Sequence, residues 1–589
     1  MRRVIRFLAM GAVVSIGLAA VVGASGSGSK SEATVIPNFT ASQSAAPSGN
    51  DWISENGNVK SWRYSTLGQI TSSNGGSLKQ AWQTTFPAPT TADLKSSANA
   101  NPVAYNGILY QQDPWFRIFA VDGASGKILW SFDPQIGLNT EITAGENRTI
   151  SIGDGLVFTA AAGTVYALNA ATGAQVWATQ LFDPTGGAAI DAAPVFYNGM
   201  IFLGSSGGDW AGRAQAFVLD AATGKVKWYY NVIPGNPKAE GWNTWPTKRA
   251  WFGGGAIWDP MTIDPTTGLV YIPTGNPIPY VYNGPGQELN TESVLALHAD
   301  TGKFAWVFQE VHHDMWDDDA MQTPVNATVT IGGKQVDVID HANKDAYNYI
   351  LNAATGKPVL GAPETPVPQL PSMNTYPTQP IPVGDELVPH VPPDPSAFAG
   401  LTAPDGKPYK IATSPFTPYD ANQYVVVAPT YTGGIEWPEN SYSQKTGLLY
   451  ACVNVSEFAF EAFPQTDIHL TSGSLAVSGA KTSSSPSFVT TGRLVAVNMS
   501  TNKIAWKYDT PGNSCSSPVT TTSSGLVLIG RSNGSIQAFD DTNGNLLWTM
   551  PGSVASIPRF TVYAAGGKEY IAAFTNTALG GPTITTYSL

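Results

Sequence analysis

Cysteine is almost missing from this chain: Cys452 and Cys515 are its only two in 589 residues. A disulfide network therefore cannot hold the fold, although one bridge between the two is open. No Cys-x-x-Cys-His occurs, which excludes a covalently attached c-type haem within these residues, so any electrons it handles must leave to a separate carrier. Charge is sparse as well, with Asp, Glu, Lys and Arg at 13% and a net charge of −12. No block of Lys and Arg follows the first few residues, which argues against nucleic acid and favours a basic protein partner. There are six histidines and no third-histidine motif to make His312 and His313 ligands, so the pair reads as ordinary loop residues.

Long apolar runs are confined to the start, "MRRVIRFLAMGAVVSIGLAAVVGASGSGSK". Arg2, Arg3 and Arg6, a short apolar run and the small residues up to Ala24 have the form of a secretory signal over residues 1–24. Export to a periplasmic or extracellular space follows, with an N-terminal membrane anchor as the alternative if the signal stays uncleaved. Residues 25–50, rich in Ser, Gly and Ala, read as a flexible tether.

What the chain has in quantity is turn formers and aromatics: 60 Gly, 44 Pro and 17 Trp. That composition favours many short strands over helices. Seven segments repeat a strand, a polar turn and a second strand: "AVDGASGKILW" to Trp130, "ALNAATGAQVW" to Trp177, "VLDAATGKVKW" to Trp228, "ALHADTGKFAW" to Trp306, "ILNAATGKPVL" to Leu360, "AVNMSTNKIAW" to Trp506 and "AFDDTNGNLLW" to Trp548. An eighth, "GGSLKQAW", ends at Trp82. Asp or Asn and Thr bond the turn backbone, Gly takes the positive φ, and the aromatic packs on a neighbour. One hairpin cannot bury both its faces, so the repeat predicts an all-β fold over residues 51–589, an eight-bladed β-propeller of four-stranded antiparallel sheets with each Trp wedged between blades. A Pro-rich insertion at about 361–422 interrupts it and reads as a long loop, either a lid over one face or a spacer.

The densest charge is in "HHDMWDDDAMQ", His312 to Gln322, where Asp314, Asp317, Asp318 and Asp319 surround one Trp. Adjacent carboxylates repel, so the cluster is either a solvated loop or is drawn to a cation.

With "DWISENGNVKSWRYSTLGQI" at its start, "WFGGGAIWDPMTIDPTTGLVYIPTGNPIPY" and "ALHADTGKFAWVFQEVHHDMWDDDAMQTPV" in its middle, the chain resembles the pyrroloquinoline quinone (PQQ) dependent alcohol dehydrogenases. The resemblance implies that Trp258 is the floor under the flat quinone and that Arg148, in "GENRTISIGDGLVF", pairs with a PQQ carboxylate. It implies that Ser206 and Gly207 of "GSSGGDWAG" touch PQQ, and that Lys344 of "HANKDAYNYIL" is the cation over the quinone oxygens. The metal ligands it implies are Asn276, Asp317 and Asp209, the last in place of the family's Glu, with Asp317 also the general base. Asp319, two residues on, resembles the extra anionic ligand of the lanthanide-using subgroup, so the implied metal is Ca²⁺ or a lanthanide ion. The implied substrate is a small alcohol, polyol or sugar, and the implied acceptor a separate carrier such as a cytochrome c.

Several cofactor positions depart from the family pattern. Ile142 and Thr143 replace an adjacent Cys pair, and Asn99 stands for Glu. Asp191 and Ala256 stand for Thr, Glu436 for Asn, and Ser516 for Trp. These changes keep open a second function class, a non-catalytic propeller that serves as an envelope binding or scaffold protein.

Overall fold

A computed structural model describes residues 36–87, 99–136, 148, 150–183, 188–210, 212–246, 253–279, 286–462, 480–483, 490–552, 554–577 and 581–589. The expected signal, Ile142 and Thr143 lie outside these residues. Among the described residues no helix is long and apolar enough to cross a membrane.

Eight radial sheets are present among the described residues, each starting with a strand whose residues are mostly buried. Blade 1 joins the two ends of the propeller: Lys79–Thr85 pairs antiparallel with Gly581–Ser588, followed inward by Lys568–Thr577 and Arg559–Ala565. Blade 2 runs from Val103–Tyr105 to Ile128–Phe132, blade 3 from Ser151–Gly153 to Gln175–Gln180, and blade 4 from Val195–Tyr197 to Val226–Asn231. Blade 5 runs from Thr262–Asp264 to Phe304–Gln309 and blade 6 from Val325–Ile331 to Asn348–Asn352. Blade 7 runs from Ser441–Ser443 to Lys503–Pro511 and blade 8 from Val519–Thr522 to Leu546–Met550.

Blade 6 departs from the expected four strands. It has three, and its outer edge is reduced to a bridge between Leu351 and Pro358. Pro358 has no N–H to extend a ladder, and the repeat here ends in Leu360 instead of Trp.

The repeat tryptophans hold neighbouring blades together. The indole N–H of Trp82 donates to Gly123 O of blade 2 (2.9 Å), Trp130 to Ala170 O (3.0 Å), Trp177 to Ala221 O (2.9 Å), Trp228 to Ala299 O (3.1 Å) and Trp306 to Ala353 O (3.1 Å). Trp506 likewise reaches Asp541 O at 3.2 Å. Each ring also covers the glycine of the next blade's turn. Gly356 has φ +69°, and a Cβ there would lie 2.3 Å from the Trp306 ring. The repeat therefore needs Gly twice over, for the turn and for the aromatic lying on it.

The stretch expected to be a tether is ordered from Ile36. Ile36 and Phe39 are buried against blades 2 to 4, and Thr40 caps a short helix, Ala41–Ala45. Next, Trp52 to Ser65 crosses the innermost strands of seven blades, with Ile53 O accepting from the Ile152 N–H of blade 3 at 3.3 Å. Trp52 bonds Ala104, the Ser61 hydroxyl meets Thr262 (2.7 Å), the Trp62 indole donates to Asn326 O (2.6 Å), and Trp62 O accepts from Ser441 (3.2 Å). Tyr64 and Ser65 pair with Thr521 and Thr522, and the Arg63 guanidinium donates to Phe560 O (3.2 Å). This segment plugs the axial channel.

The Pro-rich insertion is not a plain loop. Glu364–Pro366 pairs with Thr378–Pro380, and Lys410–Ile411 joins a sheet with Val425–Val427, Phe458–Ala462 and Ala480–Ser483. Its apolar residues Met373, Ala412 and Tyr419, together with Phe460 of that sheet, pack on Met315 and Trp316 of the acidic stretch. The insertion braces that loop from the side.

Trp306→Phe keeps an aromatic and removes one of two donors to Ala353 O, which the Tyr271 hydroxyl still reaches at 3.0 Å, and is expected to cost about 0.5–1.5 kcal/mol. Trp306→Ala is expected to cost about 3–5 kcal/mol. Thermal midpoints should fall in that order, with exposed Leu129→Ala as the unchanged control; equal midpoints for both Trp306 variants would remove the indole bond from the account.

Candidate active site

One end of the channel opens as a cavity of about 440 Å³. Every cofactor, metal and catalytic residue that the resemblance implies lines it: Arg148, Ser206, Gly207, Asp209, Trp258, Asn276, Asp317, Asp319 and Lys344. So do the altered positions Asn99, Asp191, Ala256 and Glu436. Ser516 lies outside the lining, and its carbonyl accepts from Arg559 at 3.5 Å. The blades explain the convergence, because the lining side chains sit beside the innermost strand of successive blades: Arg148 just before blade 3, Ser206 after the second strand of blade 4, Trp258 before blade 5 and Asn276 within it.

The four aspartates of the acidic stretch have separate tasks. Asp314 caps the turn, its Oδ1 accepting from Trp316 N–H (2.9 Å) and its Oδ2 from Asp317 N–H (3.1 Å). Asp318 turns away to a small cleft shared with Asp345 and His390. Asp317 and Asp319 face the cavity, and Asp317 is the more accessible, its side chain 21% exposed. Asp317 also has φ +69°, a left-handed conformation that a non-glycine residue adopts at a cost and that often marks a functional site. The solvated-loop reading fails: Asp314, Asp318 and Asp319 are all buried.

The loop is fixed from two sides. Gln379 of the insertion exchanges two bonds with the backbone of His312, at 2.7 and 2.8 Å, and the His312 ring meets Glu364 at 3.0 Å. Trp316 donates its indole N–H to Thr417 O at 2.9 Å. His312 is thus a structural anchor, as its loop reading allows.

Lys344 is the counter-charge. Its Nζ lies 2.9 Å from Asp319 Oδ2 and 3.8 Å from Asp317 Oδ2, and it donates to Asp317 O at 3.1 Å. Burial alone would lower its pKa, but the carboxylates of Asp317, Asp319 and Glu436 outweigh it and hold the ammonium well above its ordinary range. For Asp317, burial dominates and pushes the carboxyl well up; Lys344 opposes this, while Asp319, Asp209 and Asp314 add to it. Asp319 Oδ1 accepts from the backbone N–H of Asn276 at 2.7 Å. The expected convergence of Asp209, Asp317 and Asp319 is therefore looser than the sequence implied. Among the described residues no group of three His, Cys, Asp or Glu is placed to hold a metal ion, and Lys344 lies within 4 Å of both aspartates.

Two residues escaped the sequence reading. Trp437, directly after Glu436, lines the cavity, with the Arg148 guanidinium carbon 3.9 Å from its ring centroid and 4.9 Å from that of Trp258. Asp259, directly after Trp258, pairs with Arg148 Nε at 3.2 Å. Both stand beside a residue that was read, so adjacency was the available signal. Arg148 Nη1 and Ser206 Oγ are buried with no partner among the described residues, two donors on the wall of the same cavity.

The profile of the "Glucose/ethanol/alcohol dehydrogenase, beta-propeller domain" family matches residues 52–152 and 182–571. The chain belongs to this PQQ family. A further profile, outer membrane protein assembly factor BamB, matches residues 116–240, across blades 2 to 4. Quinohemoprotein alcohol dehydrogenase ADH IIB of Pseudomonas putida is 27% identical over 89% of this chain and 73% of that protein. The dehydrogenase subunit of the quinone alcohol dehydrogenase of Gluconobacter oxydans (strain 621H) is 28% identical over 89% of this chain and 70% of its own length. The crystal structure of the quinohemoprotein alcohol dehydrogenase from Comamonas testosteroni superposes with a TM-score of 0.75 at 26% identity, covering 92% of this chain and 80% of that one. With the family comes the reaction class: PQQ-dependent oxidation of an alcohol CH–OH group, the electrons passing to a separate redox partner.

Asp314→Ala should release the turn that presents Asp317 and lower stability by about 1–2 kcal/mol, as the loss of a capping carboxylate does. Asp314→Asn, which keeps one acceptor, should lose less; thermal melts of the two variants check the order.

Proposed function

We propose that the cavity holds PQQ against the Trp258 side chain and a metal ion on its acidic wall, and oxidises a small alcohol, polyol or sugar. The observation that carries this reading is the pair of unpartnered buried donors, Arg148 Nη1 and Ser206 Oγ, on the wall of a cavity that also exposes an indole. A flat, carboxylate-bearing cofactor fits that combination. For the metal, Asp209, Asn276, Asp317 and Asp319 offer the oxygen donors that a hard cation takes. When bound, PQQ supplies the two-electron acceptor and the metal ion draws electron density from it.

In this reading the protein's part is positional and electrostatic. Asp317, the most accessible carboxylate of its loop, takes the proton from the substrate hydroxyl. Lys344, charged and anchored on Asp319, sets positive charge at the acidic wall. Arg148, held by Asp259, directs its free nitrogen to a cofactor carboxylate. The buried Cys452–Cys515 disulfide, Cα atoms 5.0 Å apart, supports export to an oxidising periplasmic or extracellular compartment, where a carrier such as a cytochrome c would collect the electrons.

Asp317→Asn should retain PQQ binding and reduce dye-coupled alcohol oxidation by about 10²–10⁴, the loss typical of removing a general base. Asn tolerates the left-handed backbone at this position, so the loop should survive the change. Full activity in the variant would exclude Asp317 as the base.

The metal makes a separate commitment. Asp191, Asp209, Asp317, Asp319 and Glu436 line the cavity against Lys344 and Arg148, an excess of negative charge that a trivalent ion offsets better than Ca²⁺. A lanthanide should support more activity than Ca²⁺, and Asp319→Ala should move the preference back toward Ca²⁺. Titration of each ion into both apo-proteins decides it; equal selectivity in the two would remove Asp319 from the metal site.

A further inference from the structure

Beneath Trp437 lies a charged layer with no part in the reading so far. Arg559, at the start of the innermost strand of blade 1, is 5% exposed, and its guanidinium carbon is 4.2 Å from the Trp437 ring centroid. Arg148 is 3.9 Å from the same centroid. One face of an indole has room for a single guanidinium at that height, so the two arginines take opposite faces. Arg148 lines the cavity and Arg559 does not, which puts Trp437 between the cavity's arginine and a second cation behind it.

Two like charges a ring's thickness apart repel, so the second one needs an anion beneath it. Glu439 and Glu55 are the carboxylates whose charge acts on Arg559, both buried, and both accept from the Asn101 side-chain amide, Glu439 at 3.3 Å. Two carboxylates that close cannot both ionise. Burial and then Glu439 push the Glu55 carboxyl well up; for Glu439, burial is outweighed by Glu55, Arg63 and Arg559, which hold it down. The pair therefore carries one negative charge. Facing it are two guanidiniums, Arg559 and Arg63, the latter fixed by Val519 O at 2.9 Å and Glu55 O at 2.8 Å. Burial brings Arg559 down only to about 10, so it stays charged at neutral pH. The layer keeps a net positive charge one indole away from the cavity.

We propose that Arg559 is a positioning residue for the anionic cofactor, acting through Trp437: its charge, only partly offset by Glu439, adds to that of Arg148 and strengthens binding of a ligand rich in carboxylates. It rests on the reading that the cavity takes PQQ. A purely structural ion pair makes a different prediction, since removing either partner would then loosen the site.

The test is PQQ affinity, read by quenching of tryptophan fluorescence on adding PQQ with Ca²⁺ to the apo-protein, with no turnover involved. Arg559→Gln should weaken binding about tenfold, the size of the attraction between a unit charge and a carboxylate roughly 10 Å away at an effective dielectric constant of about 20. Arg559→Lys, which keeps the charge, should stay within about threefold of the unaltered chain. Replacing both carboxylates, Glu55→Gln together with Glu439→Gln, should act in the opposite direction and tighten binding, because it removes the shared anion that offsets Arg559. That sign decides the matter even if Arg559→Gln fails to fold. Unchanged affinity in Arg559→Gln, equal weakening in Arg559→Lys, or unchanged or weakened affinity in the double variant would each overturn the proposal. If the unaltered chain shows no quenching by PQQ, the cofactor reading falls, and the inference with it.

Discussion

The antiparallel pairing of Lys79–Thr85 with Gly581–Ser588 is the bond on which the rest depends, because it turns a row of blades into a ring. Apolar clusters then run unbroken around the circle, from Phe86 and Leu109 between blades 1 and 2 to Leu528 and Phe560 between blades 8 and 1. A ring buries the faces of its sheets but leaves a channel along its axis, edged by innermost strands with polar groups to satisfy. Trp52 to Ser65 fills that channel on one side of the charged layer, and the cavity occupies the other. The site is what remains open once the channel has been plugged.

That geometry explains how much of the protein was legible. Each blade writes the same local chemistry into the sequence, a turn Asp or Asn, a positive-φ Gly and a strand-end Trp, so the blades could be read one by one. Asp220, for example, accepts from both the backbone and hydroxyl of Thr223, as the repeat requires. The cavity residues were legible for a different reason: they stand at fixed offsets from those strands, so motifs such as "PTGNP" carry their position. Blade 6 was misread because a single Pro358 removes its outer strand without disturbing the turn before it.

What could not be read was anything made by residues distant in the chain. Arg559 joins Trp437, and Glu439 joins Glu55 and Asn101, only when blades 1, 2 and 7 meet at the axis. The insertion gave a similar difficulty. Its prolines rule out long ladders, and they say nothing of the side chains between them. Gln379, Thr417 and Tyr419 use that irregular backbone to grip the loop of Asp317. The stretch expected to be a lid or spacer is a brace.

The acidic stretch shows why composition alone misleads about charge. Four aspartates in six residues look like one feature, but the turn sends them in three directions. Asp314 spends both oxygens on backbone N–H groups, so its charge is bound up in shaping the loop. Asp318 is carried to the far side, next to Asp345 and His390. Only Asp317 and Asp319 remain for the cavity, and a single lysine from the neighbouring blade lies within 4 Å of both. A left-handed backbone at Asp317 makes this division possible, since it reverses the chain between the residue that caps the turn and the residue that meets Lys344. The local strain and the functional placement of the carboxylate thus have the same origin, and the brace from the insertion is what holds the loop in that conformation.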